Sequence, residues 1–474
     1  MKRIIIVIFI FFSVSCSKDL DSLNVDVKNA TTASGESFFT FGVKNLFDVM
    51  GAAAYPASTP LSMSQLWAQH VTAVTYTNIS QYYYSATWTE IYVKVLKNLK
   101  ESALVTSEMV PVGTAETIRK ENMLAITEIM QVQAYALLVE TFGDIPYSEA
   151  LDYNNVLPKY DKGDVVYADL INRLNAAILK LNTSGTSFVT GDPIYNGNVD
   201  KWKKFANSLK LKMGMRIIDS DNALGTATVI EAMPGAFTSN ADNAKMSYLS
   251  ATPNTNPLWL NLVEGNRKDI VIAQPFVDTL NVRNDPRRSI FFTQKNGRFV
   301  GAENGQVVLF DDYSNYGTMF RDPALPEILM DYSAVEFLKA EAAERSIVGA
   351  PANAETHYNN AIRASFDYYG IGSSAETYLA GPNVNYSSAA GTWKQKIGVQ
   401  KWIALFKQGP EAWTEYRRLD YPVLHAPEGS FINTVPVRST YPISEQTLNG
   451  ANYEAASAAI GQDLLSTKLF WDKF

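Results

Sequence analysis

The feature that most constrains this fold is a long apolar stretch that a glycine and a proline bring to an end. From Glu121 to Phe142 the side chains are apolar over a wide arc of a helix, as they are in a buried helix. Gly143 ends the stretch, and Pro146 prevents the helix from resuming. The sequence therefore predicts a buried helix and a fold in which other elements surround it.

Other stretches repeat apolar residues at the spacing of one helix face. Tyr167, Leu170 and Leu174 follow this pattern, as do Trp202 and Leu209. We predict helices over residues 117–142, 163–182, 200–219, 326–347, 353–369 and 393–407. With 46% hydrophobic residues, the chain can also bury a large core. The predicted fold class is mainly α, with a few short strands.

Two of these predicted helices form a pair. The turn Gly349-Ala350-Pro351 separates the helices at 326–347 and 353–369, and small residues lie where the two would cross. Such a pair resembles a tetratricopeptide unit, but no strict repeat of that unit's roughly 34 residues runs through the chain. We therefore predict irregular, tetratricopeptide-like helix pairs.

Residues 221–325 have a different composition from the helical stretches, with frequent Pro, Asn, Gly and Asp. Short apolar runs at Ile290–Phe292 and Val307–Phe310 predict short strands between turns. Further irregular stretches cover about 370–391 and 421–451. Irregular segments on a rigid body often carry binding residues, so 221–325 is predicted to be a loop-rich, ligand-facing insertion.

The N-terminus has the pattern of an export signal that ends at a cysteine. A basic start, Lys2-Arg3, precedes the apolar run Ile4–Phe12, which is far shorter than the roughly 20 residues of a membrane-spanning helix. Cys16 follows small residues and is the only cysteine, so it forms no intramolecular disulfide. We predict that residues 1–15 are a lipoprotein signal peptide and that Cys16 becomes a lipidated N-terminus that anchors the protein to a membrane. The alternative is an ordinary signal peptide with an incidental cysteine.

The signal is followed by a segment without helical or strand periodicity. Residues 16–35 are polar and rich in small side chains, which predicts a flexible tether. Residues 36–474 are predicted to form a single domain.

Charge and histidine content exclude several functional classes. The formal charge is −7 and becomes −9 when Lys2 and Arg3 leave with the signal peptide, whereas nucleic-acid binding depends on basic patches. The three histidines, His70, His357 and His425, lie far apart and have no zinc-site spacing. We therefore expect no nucleic-acid partner and no cofactor, and we assign no residues to a metal site; a site formed by loop carbonyls and carboxylates stays open.

Several short motifs occur in the order in which they occur in a known family. They are Phe142–Tyr147 (FGDIPY), Asn284–Arg287 (NDPR), Asp331–Ala342, Gln400–Trp402, Glu411–Arg418, Pro436–Arg438, Tyr441–Pro442, Asn452–Tyr453 and Phe470–Asp472. In these motifs the chain resembles the SusD/RagB-like surface lipoproteins, and more closely their SusD-like branch.

The resemblance implies a function as well as a fold. It implies one domain of tetratricopeptide-like helix pairs, and a non-enzymatic protein that binds nutrient and delivers it to a SusC-like TonB-dependent transporter. The cargo would be oligosaccharide, or peptide as in some family members. The location would be the outer membrane of a Gram-negative bacterium, with the protein held by its lipid anchor and facing the cell surface.

Most of the family motifs have the chemistry of a scaffold rather than of a site. Gly143 and Pro146 end a helix, and we expect Trp402, Trp413 and Tyr416 to pack in the core. Arg417 and Arg438 could pair there with Glu336 or Glu341, because a buried charge needs a partner.

Candidate ligand contacts come from aromatic residues in predicted loops. A sugar site needs exposed aromatic rings with amide, carboxylate or Arg groups at their edges, and in SusD-like proteins the loop that enters the helix near Trp88 often supplies aromatics. The candidates are Tyr82, Tyr83, Tyr84, Trp259, Asn261, Asp312, Tyr313, Tyr316 and Arg321. Loop packing is the alternative for each of them, and core packing is expected for Trp67 and His70.

Two other functional classes remain as alternatives. A surface glycoside hydrolase needs two carboxylates about 5 to 10 Å apart across a cleft, whereas Asp311 and Asp312 are neighbours whose side chains would usually diverge. The second class is a structural lid subunit of the transporter that has no contact with cargo.

Overall fold

Helices dominate the computed structural model, which describes residues 33–52, 63–84, 86–347 and 353–474. In the first half of the chain the helices are α1 (Gly35–Ala52), α2 (Ser64–Trp67), α3 (Lys97–Ser107), α4 (Gly113–Phe142), α5 (Gly163–Lys180), α6 (Val199–Ile217) and α7 (Asn222–Ala232). In the second half they are α8 (Pro257–Trp259), α9 (Gln274–Val282), α10 (Arg288–Phe291), α11 (Tyr332–Glu344), α12 (Asn353–Tyr368), α13 (Ala375–Leu379), α14 (Trp393–Ala404), α15 (Gly409–Leu419), α16 (Ile443–Leu448) and α17 (Gly450–Ala459). A π-helical turn, Glu90–Leu96, leads into α3.

The described strands form three antiparallel pairs. β1 (Val71–Ala73) pairs with β5 (Ile270–Ile272), β2 (Ile145–Pro146) with β3 (Tyr160–Asp161), and β4 (Ala244–Met246) with β6 (Glu327–Met330). The prediction of a mainly α fold with a few short strands is confirmed.

The buried helix predicted from the apolar stretch is α4. By length and composition α4 could span a membrane, but 83% of its most apolar window is buried inside the protein. Gly143 adopts a φ of +87°, and its N–H donates to the carbonyl of Val139 at 2.9 Å. A side chain at Gly143 would be strained by that φ and would meet Leu469 at 2.8 Å, which explains why a glycine ends the helix.

Most of the other predicted helices are confirmed, with ends that differ by a few residues. They are 117–142 (α4), 163–182 (α5), 200–219 (α6), 353–369 (α12) and 393–407 (α14). The prediction over 326–347 is wrong at its start, where β6 precedes α11. The side chain of Asp331 caps α11 by accepting the N–H of Ala334 at 2.7 Å, so the helix begins only after the strand.

The two predicted strands in the loop-rich region are wrong. Ile290–Phe292 lies at the end of α10, with a single bridge from Phe292 to Tyr316, and Val307–Phe310 is not a strand. Phe291 is the last residue of α10, and Phe292 is extended; both are buried. The region 221–325 also contains two regular helices, α7 and α9.

Helices that are near in sequence pack against one another in pairs, as predicted. The most extensive pairings are α1 with α3, α4 with α5, α6 with α7, and α11 with α12. At the crossing of α6 and α7, a Cβ atom on Gly214 would lie 3.0 Å from the carbonyl oxygen of Gly225. Glycines at this crossing therefore allow the two backbones to come close together.

Buried apolar side chains of the described residues form three larger clusters. The first involves α1, α4, α5 and α6; the second involves β1, β5, α9, α14 and α15; the third lies between α11, α12 and α14. Residues Gly35–Phe474 form one compact unit. Gly35, the last residue of the predicted tether, is the first residue of α1, whereas the predicted signal peptide, Cys16 and the tether up to residue 32 lie outside the described residues.

A network of buried charges connects helices from distant parts of the chain. Arg418 of α15 donates to Glu341 of α11 at 2.6 Å and to Glu415 at 2.7 Å. Arg216 of α6 also contacts Glu415, and lies 3.4 Å from Glu140 of α4. Burial alone would raise the pKa of Glu341, but the adjacent Arg418 holds it below its ordinary value.

The pairings expected for two other arginines are wrong. Arg417 donates to the backbone carbonyls of Glu140 and Val437 rather than to a carboxylate. Arg438 pairs with Asp463, and Glu336 pairs with Lys339. The neighbour of Arg417 in sequence, Arg418, faces Glu341, because successive residues of a helix point in different directions.

We expect Arg418→Met to lower the free energy of unfolding by about 3–5 kcal/mol, because it leaves Glu341 and Glu415 buried without their main cationic partner. Urea unfolding followed by circular dichroism measures this loss. Arg363→Met is the control, since its pair with Glu376 is exposed at the surface and should change stability by about 1 kcal/mol or less. Equal effects of the two substitutions would contradict a structural role for the network.

His70 predicts a pH dependence of stability. Its Nε2 donates to the carbonyl of Trp402 at 3.0 Å, its Nδ1 accepts from Gln65 at 3.2 Å, and burial lowers its pKa from 6.5 to about 3. Between these values the unfolded chain binds a proton that the folded protein does not, so stability falls as pH falls from 6.5. Between pH 6.5 and pH 4 the wild-type protein loses free energy of unfolding, and we expect His70→Gln to reduce that loss by up to about 3 kcal/mol.

Urea titrations at several pH values measure that difference. His425→Gln is the control, because it removes a histidine from an exposed position. A wild-type slope in His70→Gln would show that His70 is not held neutral in the folded protein.

Candidate loop face for ligand binding

Three loops converge beside the β1–β5 strand pair. Residues 74–84 follow β1, residues 300–313 begin where Ala302 bridges to Ala273 at the end of β5, and residues 423–433 follow α15. The N–H of Val308 donates to the carbonyl of Val74 at 3.4 Å, which joins the first two loops. We call the surface formed by residues 74–84, 300–313 and 423–433 the loop face.

Gln81 connects all three loops. Its side-chain amide donates to the backbone carbonyl of Gly305 at 3.2 Å and to that of Glu428 at 3.4 Å. The backbone carbonyl of Gln81 accepts the N–H of Phe431 at 2.8 Å. Gly305 has a φ of +76°, and a Cβ atom there would lie 3.0 Å from Pro427. The loops therefore approach each other closely around one glutamine side chain.

Buried polar contacts fix the same loops to the body beneath them. The hydroxyl of Ser80 accepts the N–H of Ala73 at 2.8 Å, and the hydroxyl of Thr72 accepts the N–H of Gly305 at 3.3 Å. Gln69 donates to the carbonyl of His425 at 2.6 Å. Such contacts at the base of each loop hold the exposed side chains in defined positions.

Two aromatic rings on the loop face are exposed and adjacent. Tyr83 is 48% exposed and Phe431 is 61% exposed, with ring centroids 5.4 Å apart and planes at 62°. Tyr76, Val307 and Leu309 on the same loops are also exposed. An exposed aromatic pair on a fixed loop is a surface against which the apolar face of a ligand can lie.

The other two tyrosines of the Tyr82–Tyr84 run face inward. Tyr82 is buried with a φ of +68°, and burial raises the pKa of its hydroxyl. Tyr84 is half-buried and packs edge-on against Trp67 at 6.1 Å. Of the three tyrosines in this run, the structure therefore exposes Tyr83 and places Tyr82 in the core. Trp67 and His70 are core residues, as predicted.

The predicted candidates Trp259 and Asn261 lie in α8 and in the helical turn that follows it, outside the three loops. Trp259 is half-buried in α8, and Asn261 donates to the carbonyl of Pro257 at 2.9 Å. The backbone N–H of Arg267 donates to the carbonyl of Asn261, and its guanidinium donates to the carboxylate of Asp269. Because the carbonyl of Asp269 accepts the N–H of Val74, this group is connected to the first loop of the loop face.

The candidates predicted at residues 312–321 do not lie together on one exposed surface. Asp312 is exposed, and Tyr313 is half-buried against the apolar side chains beside Val74. Tyr316 is 1% exposed and packs against Phe320 and Phe406, so it belongs to the core and its prediction as a ligand contact is wrong. Arg321 is exposed on a short helical turn that contacts α8, the helix of Trp259.

Phe431 is a residue of the loop face that the sequence analysis did not identify as a site residue. Phe431 lies within the stretch 421–451 that was predicted to be irregular, and it follows Gly429-Ser430, which indicates a turn. An exposed aromatic next to a turn was the available signal. Gln81 precedes the tyrosine run, but no pattern in the sequence indicates its bonds to Gly305 and Glu428.

Among the residues that the structure describes, no group of three His, Cys, Asp or Glu side chains is placed to hold a metal ion. The loop face carries four exposed carboxylates: Glu303 and the neighbours Asp311 and Asp312 on the second loop, and Glu428 on the third. These groups can accept hydrogen bonds from a hydroxyl-bearing ligand.

Comparison with known proteins gives the family. A family model described as "Starch-binding associating with outer membrane", of the SusD-like type, matches residues 27–442. No curated protein matches the chain.

Solved structures share the fold over nearly the whole chain. A protein titled as a chitin-binding protein has 26% identity and a TM-score of 0.79, covering 93% of this chain and 100% of that one. A chitin-binding SusD homologue from Flavobacterium johnsoniae has 25% identity and a TM-score of 0.75, covering 92% and 98%. A SusD homologue from Bacteroides fragilis has 25% identity and a TM-score of 0.78, covering 93% and 100%.

The family model covers most of the chain, the solved relatives share its helical body, and the motifs from Phe142–Tyr147 to Phe470–Asp472 lie in that body. This chain therefore belongs to the SusD-like family of outer-membrane-associated proteins.

Proposed function

We propose that this protein captures oligosaccharide at the cell surface through its loop face and delivers it to a SusC-like TonB-dependent transporter. The observation that carries the proposal is the exposed pair of rings, Tyr83 and Phe431, held in place by Gln81. The chitin-binding titles of two similar structures support carbohydrate as the class of ligand.

The chemistry of the loop face suits a sugar chain. A pyranose ring presents an apolar C–H face and a rim of hydroxyls, so it can cover an aromatic ring while its hydroxyls bond at the edge. Tyr83 and Phe431 offer two ring planes at 62°, and the exposed carboxylates of the loop face, Glu303, Asp311, Asp312 and Glu428, can accept hydrogen bonds from hydroxyl groups. Covering exposed aromatic surface removes it from water, which favours binding.

Peptide is the second candidate ligand, because exposed aromatic rings also bind apolar side chains. A structural lid subunit would instead join the transporter without affinity for either ligand. Catalysis requires a pair of carboxylates facing each other across a cleft. On the loop face Asp311 and Asp312 share one helical turn, so we propose binding without hydrolysis.

The decisive experiment uses the chain from residue 17 onward on an array of polysaccharides and peptides. We expect a polysaccharide to bind, and Tyr83→Ala or Phe431→Ala to weaken that binding roughly tenfold, since the loss of an aromatic contact costs about 1–2 kcal/mol. Isothermal titration calorimetry measures the dissociation constants. Tyr153→Ala is the matched control, because Tyr153 is 89% exposed and lies outside the loop face.

Each result of this experiment has a distinct meaning. If a peptide binds and Tyr83→Ala abolishes that binding, the loop face remains the proposed site and the cargo is peptide. Equal affinity for a glycan in wild type and both loop-face variants would refute the site. If nothing binds, yet the protein still co-purifies with the transporter, the structural-lid function replaces the proposal.

We also propose that lipids on Cys16 hold the protein at the outer membrane, on its outward face. A single acyl chain binds membranes reversibly, whereas several chains on one residue give stable anchoring. The resemblance of Ser13–Cys16 to a lipoprotein processing site supports this proposal, as does the family's outer-membrane association.

We expect Cys16→Ser to release the protein from membranes, because no acylated residue would remain. Cell fractionation with detection of the protein in membrane and soluble fractions measures this release, and Ser17→Ala is the control. Full retention of Cys16→Ser in the membrane fraction would mean that another segment is the anchor.

A further inference from the structure

A polar cavity of about 440 Å³ lies between the end of α9 and the segment that contains α13. Its volume falls within the roughly 300–1,000 Å³ typical of small-molecule sites. Its lining includes Arg283, Asn284, Ser373, Ser374, Thr377 and Asn383, which all lie outside the loop face. The cavity is therefore a separate place at which a small polar molecule could bind.

Arg283 is the one charged residue among the described residues that line this cavity. It is half-buried, and its Nη1 donates to the carbonyl of Thr279 at 3.1 Å. Its Nε is enclosed by the protein and has no partner. Its Nη2 also makes no hydrogen bond to the described residues but, unlike Nε, is accessible to solvent. Nη2 is therefore the donor that remains for a ligand.

The carboxylates close to this cavity do not neutralise Arg283. Asp285, two residues further along the chain, is buried and pairs with Arg287 at 2.6 Å. Glu376, on α13, pairs with Arg363 at 2.6 Å on the surface. Since each of these carboxylates already has a guanidinium partner, the positive charge of Arg283 is left for another anion.

The charge of the surrounding wall also favours an anion. A narrower cavity of about 30 Å³ shares Arg283 and Val384 with the first, and its other charged residue is Lys396. Asp367 is exposed and packs against Gly372, outside both linings. Although the chain has a net charge of −7, the described walls of the two cavities carry positive charge only, so they attract a negatively charged ligand.

The other polar side chains of the lining are available to hydroxyl groups of a ligand. Ser373 and Thr377 are exposed and Ser374 is half-buried, and their hydroxyls form no hydrogen bond with the described residues. The side-chain amide of Asn284 is exposed as well. Hydroxyl and amide groups can each donate and accept. They suit a molecule that carries hydroxyl groups beside its negative charge.

We propose that this cavity binds a hexuronic acid unit, with Nη2 of Arg283 donating to the carboxylate and Ser373 and Thr377 bonding to the sugar hydroxyls. A hydrogen bond between two charged groups is about twice as strong as a neutral one, so Arg283 distinguishes an acidic sugar from a neutral one. The proposal rests on the proposed function only in taking the carboxylate to belong to a sugar.

The test measures binding of D-glucuronate, D-galacturonate and D-glucose to the chain from residue 17 onward, by saturation-transfer NMR and calorimetry. We expect at least one uronate to bind more tightly than D-glucose, and Arg283→Gln to weaken that binding roughly tenfold, as for a lost hydrogen bond between charged groups. Arg298→Gln is the matched control, because it removes the same charge from an exposed position outside the cavity.

A second variant keeps the test decisive if Arg283→Gln unfolds. Thr377→Trp places a large side chain at an exposed position of the cavity lining. It should abolish uronate binding while the melting temperature stays near that of wild type, because the threonine side chain makes no hydrogen bond that the fold would lose.

Three results would overturn the inference. The first is that neither uronate binds wild type, or that Arg283→Gln and Thr377→Trp bind it as wild type does. The second is that D-glucose binds as tightly as the uronates, so that the carboxylate is not recognised. The third is that inorganic phosphate competes fully with the uronate at equal concentration, which would make the cavity a site for any small oxyanion. Loss of polysaccharide binding in Tyr83→Ala concerns the loop face alone, so the two proposals fail separately.

Discussion

The buried charge network around Arg418 is the interaction on which the arrangement of helices depends. It joins Glu140 of α4, Arg216 of α6, Glu341 of α11 and Glu415 of α15 in the interior. Apolar contacts alone tolerate sliding of one helix against another, whereas a buried charge is stable only where its partner meets it. The network therefore requires the early and late helices of the chain to adopt one mutual position.

That fixed body determines where the ligand-facing loops lie. α14 contacts both the second and the third apolar clusters, and its Trp402 accepts a hydrogen bond from His70, just before β1. From β1 the chain continues directly into the first loop of the loop face, where Gln81 meets the other two loops. The exposed ring of Tyr83 is thus connected to the helical body by a short series of buried contacts rather than by a flexible loop.

Sequence periodicity predicted the helices whose side chains are apolar on one face or over a wide arc, such as α4, α5, α6 and α12. It did not predict α15, whose buried face carries Glu415 and Arg418, because these charges make a buried helix resemble an exposed one. It also misassigned residues 326–330, since a short, fully buried strand and the first turn of a buried helix have the same apolar composition. Local pattern therefore failed where burial involved charge or where the element was too short to show a period.

The sequence by itself determined the family, the mainly helical fold and the order of the scaffold motifs, because these follow from residue type and spacing along the chain. Tertiary structure alone decided which aromatics face solvent: Tyr83 is exposed, whereas Tyr82 and Tyr316 are buried. It also brought Phe431 beside Tyr83. Exposure depends on neighbours that are distant in sequence, and a single chain without its fold does not specify those neighbours.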